Sequence, residues 1–236
     1  MNAEGPVHGA QPHAHAREVV EPGSGGRESE RRPNANIFRH TGALSDDTRA
    51  LQFGRPPLTF WLTGLSGAGK STIAFDFERL LRRDGRPCAV LDGDNLRCGL
   101  NRDLGFSEHD RRENVRRAAE VARVMNDVGL VVVTSFVSPL REDRAAAREI
   151  IGEARFVEVH VSTALAVCES RDPKGLYRKA RRGELSQFTG VSAPYEPPLA
   201  PALALDTAQL AQGGAAALLL AYLMRRDSEH EDGRSC

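Results

Sequence analysis

Apolar residues in this chain fall into short runs separated by longer stretches with helical spacing. Residues 58–63 form an apolar run after Pro56-Pro57 and read as a buried strand. Residues 70–83 follow as a helix that stops at Asp84-Gly85. Residues 88–91 are the next strand. Ser107 with Asp110 has the form of a helix N-cap. Val115, Ala118, Ala119, Ala122 and Met125 then recur at helical spacing until Gly129. The β-branched run 130–135 predicts a strand, 141–151 a helix, 156–161 a strand and 163–170 a short helix. Residues 203–206 predict a last strand, and 207–224 a helix weakened by Gly213 and Gly214. Strands alternating with helices predict an α/β fold, a parallel sheet of about five strands with helices on both faces.

Composition changes this picture only at the ends. Residues 1–34 are rich in Gly, Pro, His and charge and are expected to be a disordered extension. His8, His13 and His15 there are read as loose polar side chains rather than a metal site. Residues 226–236 are expected to be a flexible tail, which leaves 35–225 as the domain. The N-terminus has no apolar signal segment, and its glutamates argue against a transit peptide. The apolar stretch 215–224 is too short to span a bilayer. The formal net charge is zero, so nothing global points to nucleic acid or to an anionic membrane. Four scattered cysteines, without a CxxC pair, fit a reducing cytoplasm better than a zinc site.

The strongest chemical signal is Gly64-Leu65-Ser66-Gly67-Ala68-Gly69-Lys70-Ser71, a GxxxxGK[ST] loop between a predicted strand and a predicted helix. Its glycines allow backbone N–H groups to turn inward around phosphate, and the helix N-terminus adds partial positive charge. Lys70 can reach the β- and γ-phosphates, and the Ser71 hydroxyl can ligate Mg²⁺. The fold class expected is therefore a three-layer sandwich of the P-loop NTPase type. No Asn/Thr-Lys-x-Asp motif of a GTPase is present. The strand 130–135 ends in Thr134-Ser135 rather than the Asp-Glu of a motor ATPase. A small-molecule kinase fits best.

The acceptor side is expected at the carboxyl ends of the strands. Strand 88–91 runs into Asp92-Gly93-Asp94-Asn95. Asp94 can take a proton from a substrate hydroxyl or hold Mg²⁺ through water; a plain solvated turn is the alternative. Arg97 and Arg111 can pair with phosphate or sulfate oxygens. Phe106 either stacks on a base or anchors the core. Asn114 lies three residues after Arg111 and shares its helix face. Arg171, Lys174, Arg178, Lys179, Arg181 and Arg182 form a glycine-punctuated basic segment before Phe188-Thr189-Gly190. That segment is either a lid over anionic substrates or a solvated basic helix.

Over residues 36–207 these motifs resemble the adenylylsulfate (APS) kinase family. The matching runs are Trp61 through Thr72 with the phosphate loop, Asp92-Gly93-Asp94-Asn95, Asn101-Arg102-Asp103-Leu104-Gly105-Phe106-Ser107, Asp110-Arg111 with Glu113-Asn114 and Arg116-Arg117, Ser135-Phe136-Val137-Ser138-Pro139, Arg171-Asp172-Pro173-Lys174-Gly175-Leu176-Tyr177 and Phe188-Thr189-Gly190. The resemblance implies transfer of the ATP γ-phosphate to the 3′-hydroxyl of APS, giving 3′-phosphoadenylyl sulfate (PAPS). It implies ATP contacts from Gly64, Leu65, Ser66, Gly67, Ala68, Gly69, Lys70, Ser71 and Thr72, and Mg²⁺ near Ser71 and Asp94. It places Asp94, Arg97, Phe106, Arg111, Asn114, Val137, Ser138, Lys174 and Phe188 around APS, with Phe106 and Phe188 sandwiching the adenine. Catalytic roles fall to Lys70, Asp94 and Ser138. The family describes a phosphoserine at the Ser138 position. Direct in-line attack already supplies positioning and charge neutralisation, so a contact to APS is the reading adopted for Ser138. Ala68, Val137 and Cys98 depart from the commoner family residues without removing a charge or a glycine. A homodimer, and a separate ATP sulfurylase as the source of APS, are the expected partners. Another acceptor, such as a nucleoside monophosphate or a sugar acid, and a nucleotide-binding protein without turnover are the competing classes.

Overall fold

The computed structural model describes residues 43–232. The expected N-terminal extension, with its three histidines, lies outside the described residues. The elements in chain order are α1 (Asp46–Ala50), β1 (Thr59–Thr63), α2 (Lys70–Arg83), β2 (Cys88–Asp92), α3 (Gly93–Arg97), α4 (Glu108–Asp127) and β3 (Val131–Ser135). They continue with α5 (Arg141–Ile151), β4 (Phe156–Val161), α6 (Leu165–Arg171), α7 (Leu176–Arg181), β5 (Leu203–Leu205) and α8 (Gly214–Asp232). The five strands form one sheet in the order β2-β3-β1-β4-β5. All four pairings are parallel.

The period-2 geometry of the strands divides the core into two. In β1, Phe60 and Leu62 face a cluster with Phe77 and Leu81 of α2 and Leu219 and Leu223 of α8. Trp61 points the other way, into Ala118, Ala119 and Ala122 of α4, Val132 and Phe136. Phe60 meets Phe77 edge to face, 4.9 Å between centroids, and Trp61 stacks on Phe136 at 5.4 Å. Each such side chain removed from water contributes about 1.5–3 kcal/mol. The alanines of α4 let that helix lie close to the sheet beneath the large indole.

Helix starts and stops follow local chemistry. The Ser107 hydroxyl accepts from the Asp110 N–H at 3.1 Å and caps α4. After α4, Gly129 adopts φ +85°, where an added Cβ would lie 2.9 Å from the Phe53 ring. Two predicted elements differ. The helix expected over 207–224 begins only at Gly214, because the chain first turns through Gly213 at φ +78°. It also runs on to Asp232, so the tail expected from 226 is helical for its first part. The apolar stripe explains this: Leu219 and Leu223 continue at helical spacing to Asp227, which is buried. Asp227 forms an ion pair with Arg86 in the loop before β2, and Arg55 lies 3.8 Å from the same carboxylate. Among the described residues no helix is long and apolar enough to cross a membrane.

Candidate active site

All five strands end on one edge of the sheet, and the segments that follow them form the site. The loop after β1 is built on three glycines with positive φ: Gly64 (+150°), Gly67 (+75°) and Gly69 (+100°). A Cβ at Gly64 would lie 2.5 Å from the Val161 carbonyl oxygen, so the loop passes against the end of β4 with no room to spare. Gly64→Ala is therefore expected to cost about 3 kcal/mol from the clash and the backbone conformation together. Chemical denaturation measures it, and a loss under about 1 kcal/mol would contradict the tight approach.

Lys70 opens α2, and its Nζ donates to the carbonyls of Gly64 (2.8 Å) and Leu65 (2.7 Å). Burial pushes its ammonium down to about 8, against partial compensation from Cys168, Asp92 and Asp94. The Ser71 hydroxyl donates to Asp92 Oδ2 at 2.7 Å and lies 3.1 Å from the Ser135 hydroxyl. Asp92, the last residue of β2, also caps α3 by accepting from the N–H groups of Asp94 (3.0 Å) and Asn95 (3.3 Å). The carboxylate in contact with Ser71 is Asp92; Asp94, which the sequence reading placed with Ser71 near Mg²⁺, lies two residues further on. The strand runs one residue further than expected and brings Asp92 to the loop.

Asp94 is exposed in the first turn of α3 and forms an ion pair with Lys174, which lies between α6 and α7. The expected acceptor carboxylate and the expected basic segment therefore meet. Arg97 donates to the carbonyls of Leu104 (3.1 Å) and Gly105 (2.7 Å), and its guanidinium lies 4.5 Å from the centre of the Phe106 ring. Phe106 is 66% exposed, which rules out the core-anchor reading; Arg97 covers one face of the ring and much of the rest is open to solvent. Arg111 donates to the Phe106 carbonyl (2.9 Å), the Gln187 carbonyl (2.7 Å) and the Thr189 hydroxyl (3.0 Å). One guanidinium therefore joins the segments that carry Phe106 and Phe188. The Phe188 ring lies edge-on to Tyr177 at 5.0 Å, and the Tyr177 hydroxyl donates to the Ser66 carbonyl at 3.0 Å. The buried Asn114 accepts from the Asn101 side chain at 2.9 Å.

Ser138 takes φ +34°, unusual for a residue with a side chain. Its hydroxyl accepts from the Trp61 indole at 3.2 Å, and its carbonyl accepts from Arg144 at 2.7 Å. The Thr63 hydroxyl donates to the Val137 carbonyl at 2.7 Å. Ser138 is 4% exposed, so its hydroxyl serves the local framework rather than facing open solvent. Arg144 is a residue the sequence reading did not single out. It is buried, bonded to Ser138, to the Glu196 carbonyl (2.7 Å) and to Glu158 (2.7 Å). Only its place in the predicted helix 141–151 was visible beforehand; its partners come from the loop just before that helix, from β4 and from the segment at Glu196.

The oxygen donors around Ser71 test the implied Mg²⁺. One carboxylate and two hydroxyls gather there, and among the described residues no cluster of three His, Cys, Asp or Glu residues that could hold a metal occurs. That set suits Mg²⁺ shared with substrate phosphates and does not suit a metal held by protein ligands alone.

A phosphate loop at the head of a parallel sheet, facing an exposed carboxylate–lysine pair, defines a P-loop kinase of small molecules. The family profile described as adenylylsulphate kinase matches residues 56–206. The chain belongs to this family, and its reaction is transfer of the ATP γ-phosphate to APS to give PAPS. It is 50% identical over 198 residues to the adenylyl-sulfate kinase of Pseudomonas entomophila, covering 84% of this chain and 95% of that protein. It is 52% identical over 189 residues to that of Shewanella amazonensis, covering 80% and 96%. The APS kinase of Mycobacterium tuberculosis, solved in complex with AMPPNP and APS, superimposes with a TM-score of 0.70 at 47% identity, covering 72% of this chain and 99% of that one.

Proposed function

We propose that the loop 64–71 holds the ATP phosphates and that Asp94 accepts the proton of the APS 3′-hydroxyl as its oxygen attacks the γ-phosphorus. The observation that carries this reading is the position of Asp94, two residues from the Asp92 that meets Ser71 and in contact with the basic Lys174. Ser71 and Asp92 would hold Mg²⁺, which neutralises phosphate charge when bound. Lys174 would leave Asp94 for an anionic group of the substrates as the segment 171–182 settles over them, excluding water. Arg97, Arg111, Asn114, Val137 and Ser138 frame the APS pocket. Here Arg111 acts chiefly by holding the two aromatic segments, since protein acceptors already take three of its five N–H donors. ADP release on addition of APS, but not of AMP or gluconate, tests the acceptor; no release with APS would defeat the reading.

Phe106 and Phe188 would hold the adenine of APS between them. Phe106→Ala is expected to raise KM for APS about tenfold and to leave KM for ATP unchanged. Steady-state kinetics with each substrate varied in turn checks this, and an equal rise in both constants would remove Phe106 from the acceptor pocket. Assembly as a homodimer, supply of APS by a separate ATP sulfurylase and a cytoplasmic setting extend the proposal. Cys88, Cys98 and Cys168 are all free thiols, which fits a reducing compartment.

A further inference from the structure

The peptide joining Ala68 to Gly69 stands within the phosphate loop and is bounded by the Cα of Ala68 on one side and of Gly69 on the other. Gly69 adopts positive φ, so on that side the backbone offers little resistance to rotation of this peptide. A peptide is planar, and its C=O and N–H point in opposite directions. Whatever holds the Ala68 carbonyl therefore aims the Gly69 N–H. Ala68 is fully buried, so its carbonyl needs a protein partner.

That partner comes from the segment after β5, two strands from β1 on the same edge of the sheet. The Thr207 hydroxyl, just past β5, donates to the Ala68 carbonyl at 2.9 Å. Thr207 Oγ1 also accepts from Arg171 at 2.7 Å and lies 2.8 Å from the Thr163 hydroxyl. The Thr207 N–H in turn donates to Thr163 Oγ1 at 3.1 Å. The Thr163 hydroxyl is itself 3.3 Å from the Ala68 carbonyl, a longer contact. One placement of the two hydroxyl protons satisfies the group: Thr207 donates to Ala68, and Thr163 donates to Thr207. The Thr207 methyl packs on the loop as well, since a Cβ at Gly69 would lie 3.2 Å from it.

We infer that Thr207 is a positioning residue for the phosphate loop, holding the Ala68 carbonyl back so that the Gly69 N–H faces the donor phosphates. Thr207 lies one residue beyond the segment that the family profile matches. Arg171 opens the basic segment, so its bond to Thr207 places that segment and the loop on one shared hydroxyl. The inference rests on the reading that the loop holds ATP.

Thr207→Val keeps the methyl contact and removes the hydroxyl; Thr207→Ser does the reverse. Thr207→Val is expected to lower kcat/KM for ATP about tenfold while KM for APS, at saturating ATP, stays unchanged. Thr207→Ser is expected to stay within about twofold of the wild type. Thr163→Val should give a smaller loss on the ATP side that is not additive with Thr207→Val. It also decides the matter if Thr207→Val does not fold, because an unchanged Thr163→Val enzyme would then overturn the inference. Normal ATP kinetics in Thr207→Val, equal losses on the ATP and APS sides, or a Thr207→Ser enzyme as impaired as Thr207→Val would each overturn it. Lys70→Met is run alongside. If it loses ATP turnover while Thr207→Val does not, the threonine clamp alone is wrong. If Lys70→Met also keeps turnover, the donor-site reading beneath it is wrong.

Discussion

Asp94→Asn is expected to lower kcat by about 10³-fold while ATP binds almost as in the wild type. The asparagine keeps the shape of the side chain and an acceptor for Lys174, but cannot take up a proton at neutral pH. Asp94 lies outside the Ser71–Asp92 contact, so its loss leaves the oxygen set beside the phosphate loop intact. The measurement pairs kcat for PAPS formation with the dissociation constant for a non-hydrolysable ATP analogue. Equal losses in both would make Asp94 a donor-site residue and refute its assignment as base. Asp92→Asn should behave differently, losing nucleotide affinity and turnover together, because its carboxylate serves both Ser71 and the start of α3. The contrast between two acids two positions apart separates the donor side from the acceptor side.

Much of this architecture was legible in the chain because its signals are local. The run 58–63, the glycines after it and the helix from Lys70 announce themselves within a dozen residues, and the structure places β1, the loop and α2 there. Ser107 and Gly129 marked the ends of α4 for the same reason. What could not be read depends on partners far along the chain. Asp92 and Asp94 look alike as neighbours in an acidic turn, and only the extension of β2 shows which one meets Ser71. The helix beyond residue 224 appeared too polar to pack, yet Asp227 is buried against Arg86, 141 positions earlier by subtraction of their numbers. Phe106 was undecided between core and ligand until its exposure was known. Arg144 and Thr207 carry no motif at all, since their roles arise from bonds to carbonyls that sequence does not mark.

On the proposed reading of the loop, Lys70→Met is expected to lower kcat/KM for ATP by about 10³-fold, since it removes the cation that would meet the transferring phosphoryl group. Its second consequence concerns protons. In the empty site Lys70 is buried against two carbonyls, and desolvation brings its ammonium to about 8 from an ordinary 10.5. Phosphate charge reverses this, because an anion beside the lysine favours the charged form. ATP binding at pH 8 is therefore expected to take up about half a proton from the buffer. Calorimetry in two buffers of different ionisation enthalpy measures it, and Lys70→Met should abolish it. The pH slope of folding stability has the same sign as for a carboxylate paired with an arginine, but here the charged form is the costly one and not the stabilised one. Because the folded value lies below the unfolded one, the cost of burying charged Lys70 is fully present below pH 8 and is relieved as pH rises from about 8 to 10.5. The wild type should thus gain stability relative to Lys70→Met across that interval. A difference between the two proteins that is constant with pH, together with no proton uptake on ATP binding, would show that Lys70 is fully charged in the empty site.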